Sequence, residues 1–408
     1  MIDSKELTTF IMAGGKGERL YPLTIHRAKP AVPFAGIYRI IDFTLSNCIN
    51  SGIRRIHVLT QYKSRSLERH VIQGWNIFEP ELGEYIDIMP AQQRTGDHWY
   101  LGTADSVYQN IDLVDLEQSK YVLILAGDHI YKMNYAKMLN VSLEKNADVV
   151  VGLVEIEKDR SLPFGTCELD SDMRISGFKE KSPDPHTIPG RDQFCYISMG
   201  IYSFRTEVLK EVLKKNYESE KTDHDFGKNI LPMMVKSGYK VYGYTFKDEN
   251  TGFIRYWRDV GDVSAYYECN IELAGVSPLF NLYDRKWPIR TYKGQYPPVK
   301  TVFADEKRRG HALDSLISDG CILSGGFVNH SVLSPNVRVN SFAEVHDSIL
   351  FENVNIGRNA KIKKAILDKN VEVRENIEIG YDLKKDKERF FTTPDGIVVI
   401  PRDTVVDA

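Results

Sequence analysis

Ser331-Val-Leu-Ser-Pro-Asn-Val-Arg-Val339 is followed by Ser348-Ile-Leu-Phe-Glu-Asn-Val-Asn-Ile356 and then by Ala365-Ile-Leu-Asp-Lys-Asn-Val-Glu-Val373. Asn336, Asn353 and Asn370 fall in register, and so do Val337, Val354 and Val371. Inside this repeat lies a shorter step of six residues, from Ile356 to Ile362 and from Val373 to Ile379. Six-residue aliphatic steps mark a parallel β-helix, in which each short strand forms one side of a triangular coil. The aliphatic residue then points inward and stacks on the next coil. A looser copy precedes at Leu316–Leu323. An ordinary small β-domain is the plainer alternative, but it has no reason to repeat asparagines and aliphatics in one register. A solenoid leaves its end coils unstacked, so another domain or subunit has to cover them.

Upstream the rhythm changes. Thr8–Ala13, Ile56–Thr60, Tyr121–Ala126 and Ala147–Val154 read as strands, with Thr44–Asn50 and Tyr135–Asn146 as helices. Gly200–Phe204 and Lys240–Phe246 add strands; Glu207–Lys215, Phe226–Lys236 and Val263–Leu273 add helices. Continuous apolar strands need cover on both faces. The alternation predicts a three-layer α/β domain over 1–275, with its site at the carboxyl ends of the strands. Residues 276–310 carry Pro278, Pro288, Pro297 and Pro298 and read as a linker on the surface, leaving 311–408 to the β-helix.

The chain has 408 residues, room for about two or three domains. A net charge of −3 argues against nucleic acid as a partner. No apolar run approaches the roughly 20 residues of a membrane helix. Met1-Ile2-Asp3-Ser4-Lys5-Glu6 has no basic stretch followed by an apolar one. The expectation is a cytoplasmic location and no membrane partner. Cys48, Cys167, Cys195, Cys269 and Cys321 are scattered with no CxxC pair, which predicts reduced thiols and no disulfide framework.

Met12-Ala-Gly-Gly-Lys-Gly-Glu-Arg-Leu20 follows directly on the first strand. Gly14, Gly15 and Gly17 permit close backbone approach to a ligand. Exposed N–H groups in such a turn can cradle phosphates, with Lys16 and Arg19 adding positive charge. Neither the Walker A pattern nor GxGxxG is present, which sets aside a nicotinamide enzyme. Arg27-Ala-Lys-Pro30 supplies Lys29, which taken alone reads as a solvated surface lysine.

An early strand, GGxGxRL and a KP step together resemble the sugar-phosphate nucleotidylyltransferases. Further segments resemble the ADP-glucose-forming branch of that family. They are Arg39-Ile-Ile-Asp-Phe43, Leu45-Ser-Asn-Cys-Ile-Asn-Ser-Gly-Ile-Arg-Arg55, Pro90-Ala-Gln-Gln-Arg94 and Trp99-Tyr100 with Gly102-Thr-Ala-Asp105. Leu125-Ala-Gly-Asp-His-Ile-Tyr131, His224-Asp-Phe-Gly227, Tyr256-Trp-Arg-Asp-Val-Gly261 and Trp287-Pro-Ile-Arg-Thr291 complete the set, so the likeness runs from about Phe10 to Val399.

That resemblance implies a Rossmann-like nucleotidyltransferase domain followed by a left-handed parallel β-helix. It implies transfer from ATP to glucose 1-phosphate, giving ADP-glucose and pyrophosphate for glycogen synthesis, with Mg2+ as cofactor. It also implies a homotetramer, or a mixed assembly with a paralogue. Carried over position by position, Arg19, Lys29 and Asp128 act on the reacting phosphates, and Asp128 and Asp259 hold the metal. Gly14, Gly15, Gln92, Gly102 and Thr103 meet the nucleotide. Tyr100, Gly165, Glu180, Lys181, Ser198 and Asp225 hold glucose 1-phosphate. The chemistry is consistent with this: every partner is an anion, so the protein must neutralise charge and align groups. Paired carboxylates can hold Mg2+ while phosphate oxygens fill its other positions. Taken alone, the two aspartates read as turn caps, and Lys179-Glu180-Lys181 as a solvated charge run.

Some positions depart from the family's pattern. Ser182 stands where a proline usually follows Glu-Lys. His26 and Leu116 stand where activator-responsive members carry a lysine for fructose 1,6-bisphosphate and an arginine associated with AMP. Loss of fixed charge at both predicts weak or different allosteric control. Three other readings compete. A pyrophosphorylase for UTP or dTTP would use the same glycine turn and aspartates. A non-catalytic regulatory subunit tends to lose catalytic residues, and Arg19, Lys29, Asp128, Lys181 and Asp259 are all present. A β-helix acyltransferase would need a catalytic histidine, and His330 and His346 read as surface residues.

Overall fold

The computed structural model describes residues 4–219, 221–246, 256–305 and 308–407. Met1–Asp3 of the amino-terminal stretch and residues 306–307 of the expected linker lie outside the described residues.

The strand Tyr121–Ala126 shows why a run that reads as continuously apolar is needed. Val122 and Ile124 join a cluster with Phe10, Val149, Phe204, Leu209 and Val212 on one face. Leu123 and Leu125 join Ile11, Leu45, Val58 and Met138 on the other. Period-two alternation therefore feeds two cores, each roofed by helices, and the three layers follow. Leu7–Met12 lies between Tyr121–Ala126 and Arg55–Thr60, all three parallel, with Tyr85–Pro90 parallel at the edge. Phe194–Arg205 runs antiparallel to both Tyr121–Ala126 and Val149–Glu157. The nine-stranded sheet is therefore mixed, and a hairpin of Gly165–Leu169 and Ile175–Glu180 extends it. The helix expected over Phe226–Lys236 is instead one wide π turn, Phe226–Ile230, running into Leu231–Lys236. Pro232, which has no N–H to donate, sits at the junction.

In the carboxyl-terminal region each coil has three short strands; coils step by 17 residues from Phe327 to Ile379, by 16 from His311 to Phe327 and by 33 from Ala365 to Val398. Arg338 pairs with Asn355, which pairs with Glu372. Leu333, Leu350, Leu367 and Ile400 stack in the coil's core with Val337, Val354 and Val371. Asn336, Asn353 and Asn370 have φ of 62°, 64° and 61°, a left-handed corner that asparagine tolerates. Their side chains form a ladder, Asn353 donating to Asn370 at 3.0 Å and Asn370 to Asp403 at 2.7 Å. The stretch expected as a linker contributes a parallel strand of its own, Lys300–Val302, which pairs with Ile322–Ser324.

One face of the coil packs on the α/β domain. Val332, Ile349, Ile366 and Val399 share a buried cluster with Leu20, Leu23, Val32, Phe34 and Tyr266. Across this apolar contact, Arg27 donates to Asp368 at 2.9 Å, and both side chains are 3% exposed. The segment that carries Lys29 is thereby tied to the coil. Among the described residues, all five cysteines are buried and unpaired, and no helix is long and apolar enough to cross a membrane.

Removing one partner of the Arg27–Asp368 pair strands a buried charge, which costs about 3–5 kcal/mol. Arg27→Met is expected to lower the unfolding midpoint accordingly, and adding Asp368→Leu to recover most of the loss. A single-variant midpoint equal to the wild type's would show that the pair does not tie the domains.

Candidate active site

The strand Leu7–Met12 ends at the glycine turn, and Ala13 N–H donates to Leu59 O at 2.9 Å to fix its exit. Gly17 is in the left-handed region at φ 65°, and a Cβ there would come within 2.9 Å of Lys29 Cβ. Thr24 Oγ1 donates to Gly17 O at 3.0 Å. The turn is therefore built against the Arg27–Pro30 step. Gly15, by contrast, has nothing within 4 Å of its Cβ position, which leaves space for a ligand. Gly14 would meet Gln61 Cβ at 3.2 Å.

Asp128 follows the strand Tyr121–Ala126. The next strand, His129–Tyr131, pairs antiparallel with Trp257–Asp259, setting Asp259 opposite His129. This two-stranded ribbon brings the two aspartates together. Lys29 Nζ bridges them, 2.8 Å from Asp128 Oδ2 and 2.9 Å from Asp259 Oδ1. Burial alone would lower the Lys29 pKa, but the two carboxylates outweigh it and hold the ammonium above the usual lysine value. Burial would likewise raise the Asp128 carboxyl. The charges of Lys29 and His129 outweigh that and hold it well below the usual carboxylate range. Lys29, Asp128, Arg19, Gly15, Gly17 and Gly261 line one open cavity of about 400 Å³.

Sequence reasoning gave no role to His129 and Gly261. His129 Nε2 faces Asp128 Oδ1 at 3.5 Å and Asp259 Oδ1 at 3.9 Å, its ring set edge-on against Trp257. Ligand atoms of Asp128, His129 and Asp259 all lie within 4.8 Å of one another, so the set fits a divalent cation, and its two carboxylates favour a hard one. A Cβ at Gly261 would lie 3.0 Å from Asp259 Oδ2 and 3.4 Å from both terminal nitrogens of Arg19. Adjacency to Asp128 and Asp259 in the quoted motifs was the available signal for both.

The residues expected to hold glucose 1-phosphate lie around a second carboxylate, Glu180. Glu180 stands opposite Gly165 in the hairpin register. A Cβ at either Gly165 or Gly227 would come within 2.6 Å of Glu180 Oε2, so these two glycines make room for the carboxylate. Burial, with the Asp225 charge added and Lys181 opposing, raises the Glu180 pKa above its ordinary value. Asp225 Oδ1 accepts from the N–H groups of Gly227 and Lys228 at 2.9 and 3.0 Å. Ser198 sits at an irregularity in Phe194–Arg205, where the pairing register shifts before Tyr202. Lys181 is 59% exposed, its Nζ 3.7 Å from Glu180 Oε1. Tyr100 OH accepts from Asn110 Nδ2 at 3.0 Å.

Thr103, Gly102 and Gln92, expected to meet the nucleotide, do not line the cavity beside Lys29. Thr103 Oγ1 donates to Asp225 Oδ2 at 3.0 Å and accepts from Phe226 N–H at 3.1 Å, which ties it to the residues around Glu180. Gly102 is walled in, its Cβ position 2.3 Å from His224 O. Gln92 is exposed on the loop after Tyr85–Pro90 and does not line the cavity beside Lys29. Outside the site, His26 is exposed near Asp403, and Leu116 is 77% exposed.

Comparison with known proteins bears on this arrangement. Residues 8–275 match the nucleotidyl transferase family, and residues 297–400 match the GlmU-like, C-terminal hexapeptide family, a repeat consistent with a left-handed β-helix. The chain is 52% identical over 395 residues to a glucose-1-phosphate adenylyltransferase of Koribacter versatilis, covering 96% of this chain and 94% of the relative. It is 49% identical over 400 residues to one of Methylococcus capsulatus, covering 98% and 94%. A third, of Nitrosococcus oceani, is 49% identical over 397 residues, covering 97% and 94%. With likeness spanning both domains at this level, the chain belongs to the glucose-1-phosphate adenylyltransferase family of nucleotidyl transferases.

Proposed function

We propose that the chain joins glucose 1-phosphate to the adenylyl group of ATP, releasing pyrophosphate. The observation that carries this is the convergence of Arg19, Lys29, Asp128 and Asp259 beside the glycine turn, within one domain that also holds the Glu180–Ser198–Asp225 group. An oxygen of the sugar phosphate attacks the α-phosphorus of ATP. The bond from that phosphorus to the bridging oxygen breaks, and pyrophosphate leaves with the electron pair. No side-chain nucleophile is required, so the protein's work is alignment and charge neutralisation.

In this reading Gly15 leaves room for the triphosphate, and Arg19 and Lys29 neutralise it. Asp128 and Asp259 hold a divalent cation, Mg2+, which would screen charge on the α-phosphate and the departing pyrophosphate. Lys181 neutralises the sugar phosphate as a compact ammonium. Glu180 and Asp225 accept hydrogen bonds from glucose hydroxyls, while Thr103 holds Asp225 in place. Gln92, on its exposed loop, meets the adenine. The same reading carries a cytoplasmic homotetramer, or a mixed assembly with a paralogue. It also carries a weak response to fructose 1,6-bisphosphate, supported by the charge missing at His26 and Leu116.

Purified protein with glucose 1-phosphate and Mg2+ is expected to release pyrophosphate with ATP and not with UTP or dTTP. Asp128→Asn should cut that release at least about a hundredfold. Release with UTP or dTTP alone would overturn the base assignment and leave the chemistry. No release with any nucleotide would favour the regulatory-subunit reading.

Gly261→Ala pushes on Asp259 and Arg19 together. A misplacement of that size is expected to cost roughly a hundredfold in kcat/KM with little change in Tm. An unaltered kcat/KM would remove Gly261 from the site.

Glu180→Gln is expected to raise KM for glucose 1-phosphate about tenfold or more, a charged hydrogen bond being lost. Its effect on stability has the opposite sign. Because the folded pKa of Glu180 lies above the unfolded one, the native state binds the proton more tightly, and stability falls as pH rises between the two. The variant escapes that loss, so its Tm should exceed the wild type's at pH 7 and match it near pH 4. Thermal scans at the two pH values decide.

A further inference from the structure

The carboxylate pair is claimed by the chain's own cations. Lys29 Nζ contacts an oxygen of each aspartate, and its side chain is only 9% exposed. Arg19 stands beside Asp259, the two separated by the space where Gly261 lacks a side chain. Two carboxylates against an ammonium and a guanidinium balance to zero charge. A dication added to this set would leave two uncompensated positive charges in a partly buried site, with the ammonium sharing its ligands. A polyphosphate reverses the balance. It brings several negative charges and its own oxygen ligands, and it offers Lys29 and Arg19 another anion.

The move asked of Lys29 is small. Its backbone is held in the turn Lys29–Ala31, stiffened by Pro30 and packed at Cβ on Gly17. Its long side chain lines the same cavity as Gly15 and Arg19. Rotation about side-chain bonds alone therefore carries the ammonium from the carboxylates toward the glycine turn.

We propose that Lys29 closes the Asp128–Asp259 pair to free divalent cations, and that the cation enters only with a polyphosphate, which takes Lys29 as its counter-ion. This rests on the reading of the two aspartates as metal ligands given above. It makes Lys29 the residue that sets the order of loading as well as a contact for the phosphates.

Mn2+ is the probe. Its binding to the full-length protein can be followed by electron paramagnetic resonance and by water-proton relaxation, neither of which reports turnover. Wild type should bind Mn2+ alone weakly, and about tenfold or more tighter once α,β-methylene-ATP is present. Lys29→Met should bind Mn2+ alone about tenfold tighter than wild type, with little further gain from the analogue. Asp128→Asn should abolish the tight binding in either background. Equal Mn2+ affinity of wild type with and without the analogue would overturn the proposal, and so would tight binding that survives Asp128→Asn. The wild-type comparison decides even if Lys29→Met fails to fold. Turnover with ATP and glucose 1-phosphate is measured on the same preparation. Turnover together with nucleotide-independent Mn2+ binding sinks the loading order and leaves the reaction. Analogue-dependent Mn2+ binding without turnover sinks the reaction and leaves the loading order.

Discussion

Holding two carboxylates side by side is the constraint from which the rest of this structure follows. Two like charges about 5 Å apart, at an effective dielectric near 20, repel by roughly 3 kcal/mol. Asp128 and Asp259 are placed that way by a short antiparallel ribbon and kept there by one lysine between them. Lys29 can serve both only if its backbone does not drift. Pro30 stiffens the chain after it, Gly17 admits its Cβ, and Arg27, two residues earlier, is paired with Asp368 of the coil. The backbone position of Lys29 is thus over-determined by the glycine turn, the KP step and the β-helix, while its side chain reaches both aspartates.

That chain of contacts gives the β-helix a part in the chemistry without any reacting group of its own. The coil's outward-facing residues Val332, Ile349, Ile366 and Val399 bury themselves against the α/β domain and leave the coil no independent surface there. His330 and His346 lie in the coil paired with Asp347 and Glu344, as structural surface residues do. What the coil supplies is a rigid support beneath residues 27–34. Any event that shifts the coil against the domain bears on Arg27, and through it on the segment that carries Lys29.

The coil was legible from sequence because one side chain per strand must point into a narrow interior, so aliphatics and corner asparagines recur in strict register. The central strands were legible because both their faces are buried. The hairpin Gly165–Glu180 was not, since one of its strands is mostly half-buried and its apolar residues are sparse. Nor was the strand Lys300–Val302, which pairs on one side only and carries no aliphatic step. Arg19, Lys29, Asp128 and Asp259 are expected from resemblance; the structure puts Lys29 in contact with both aspartates and Arg19 in the cavity that Lys29 and Asp128 line. Thr103 shows what a motif leaves unsaid: its hydroxyl donates to Asp225, a contact across 122 residues that no local pattern states. Gly261 and His129 were overlooked because only adjacency to the two aspartates signals them: what Gly261 supplies is space, and His129 meets Asp259 only through the ribbon.

The surroundings of Glu180 follow a different physical rule from those of Asp128. Around Asp128 the protein surrounds negative charge with positive charge, and the cluster is balanced as it stands. Around Glu180 it does the reverse. It buries one carboxylate near another, Asp225, shaves two neighbours to glycine to fit it, and leaves the nearest ammonium, Lys181, mostly in solvent. On the reading proposed above, such an arrangement suits a polyhydroxylated ligand, whose hydroxyls can donate to the half-buried Glu180 carboxyl. On the same reading, discrimination among sugars rests on the Glu180 group, and discrimination among charges on the balanced cluster around Asp128.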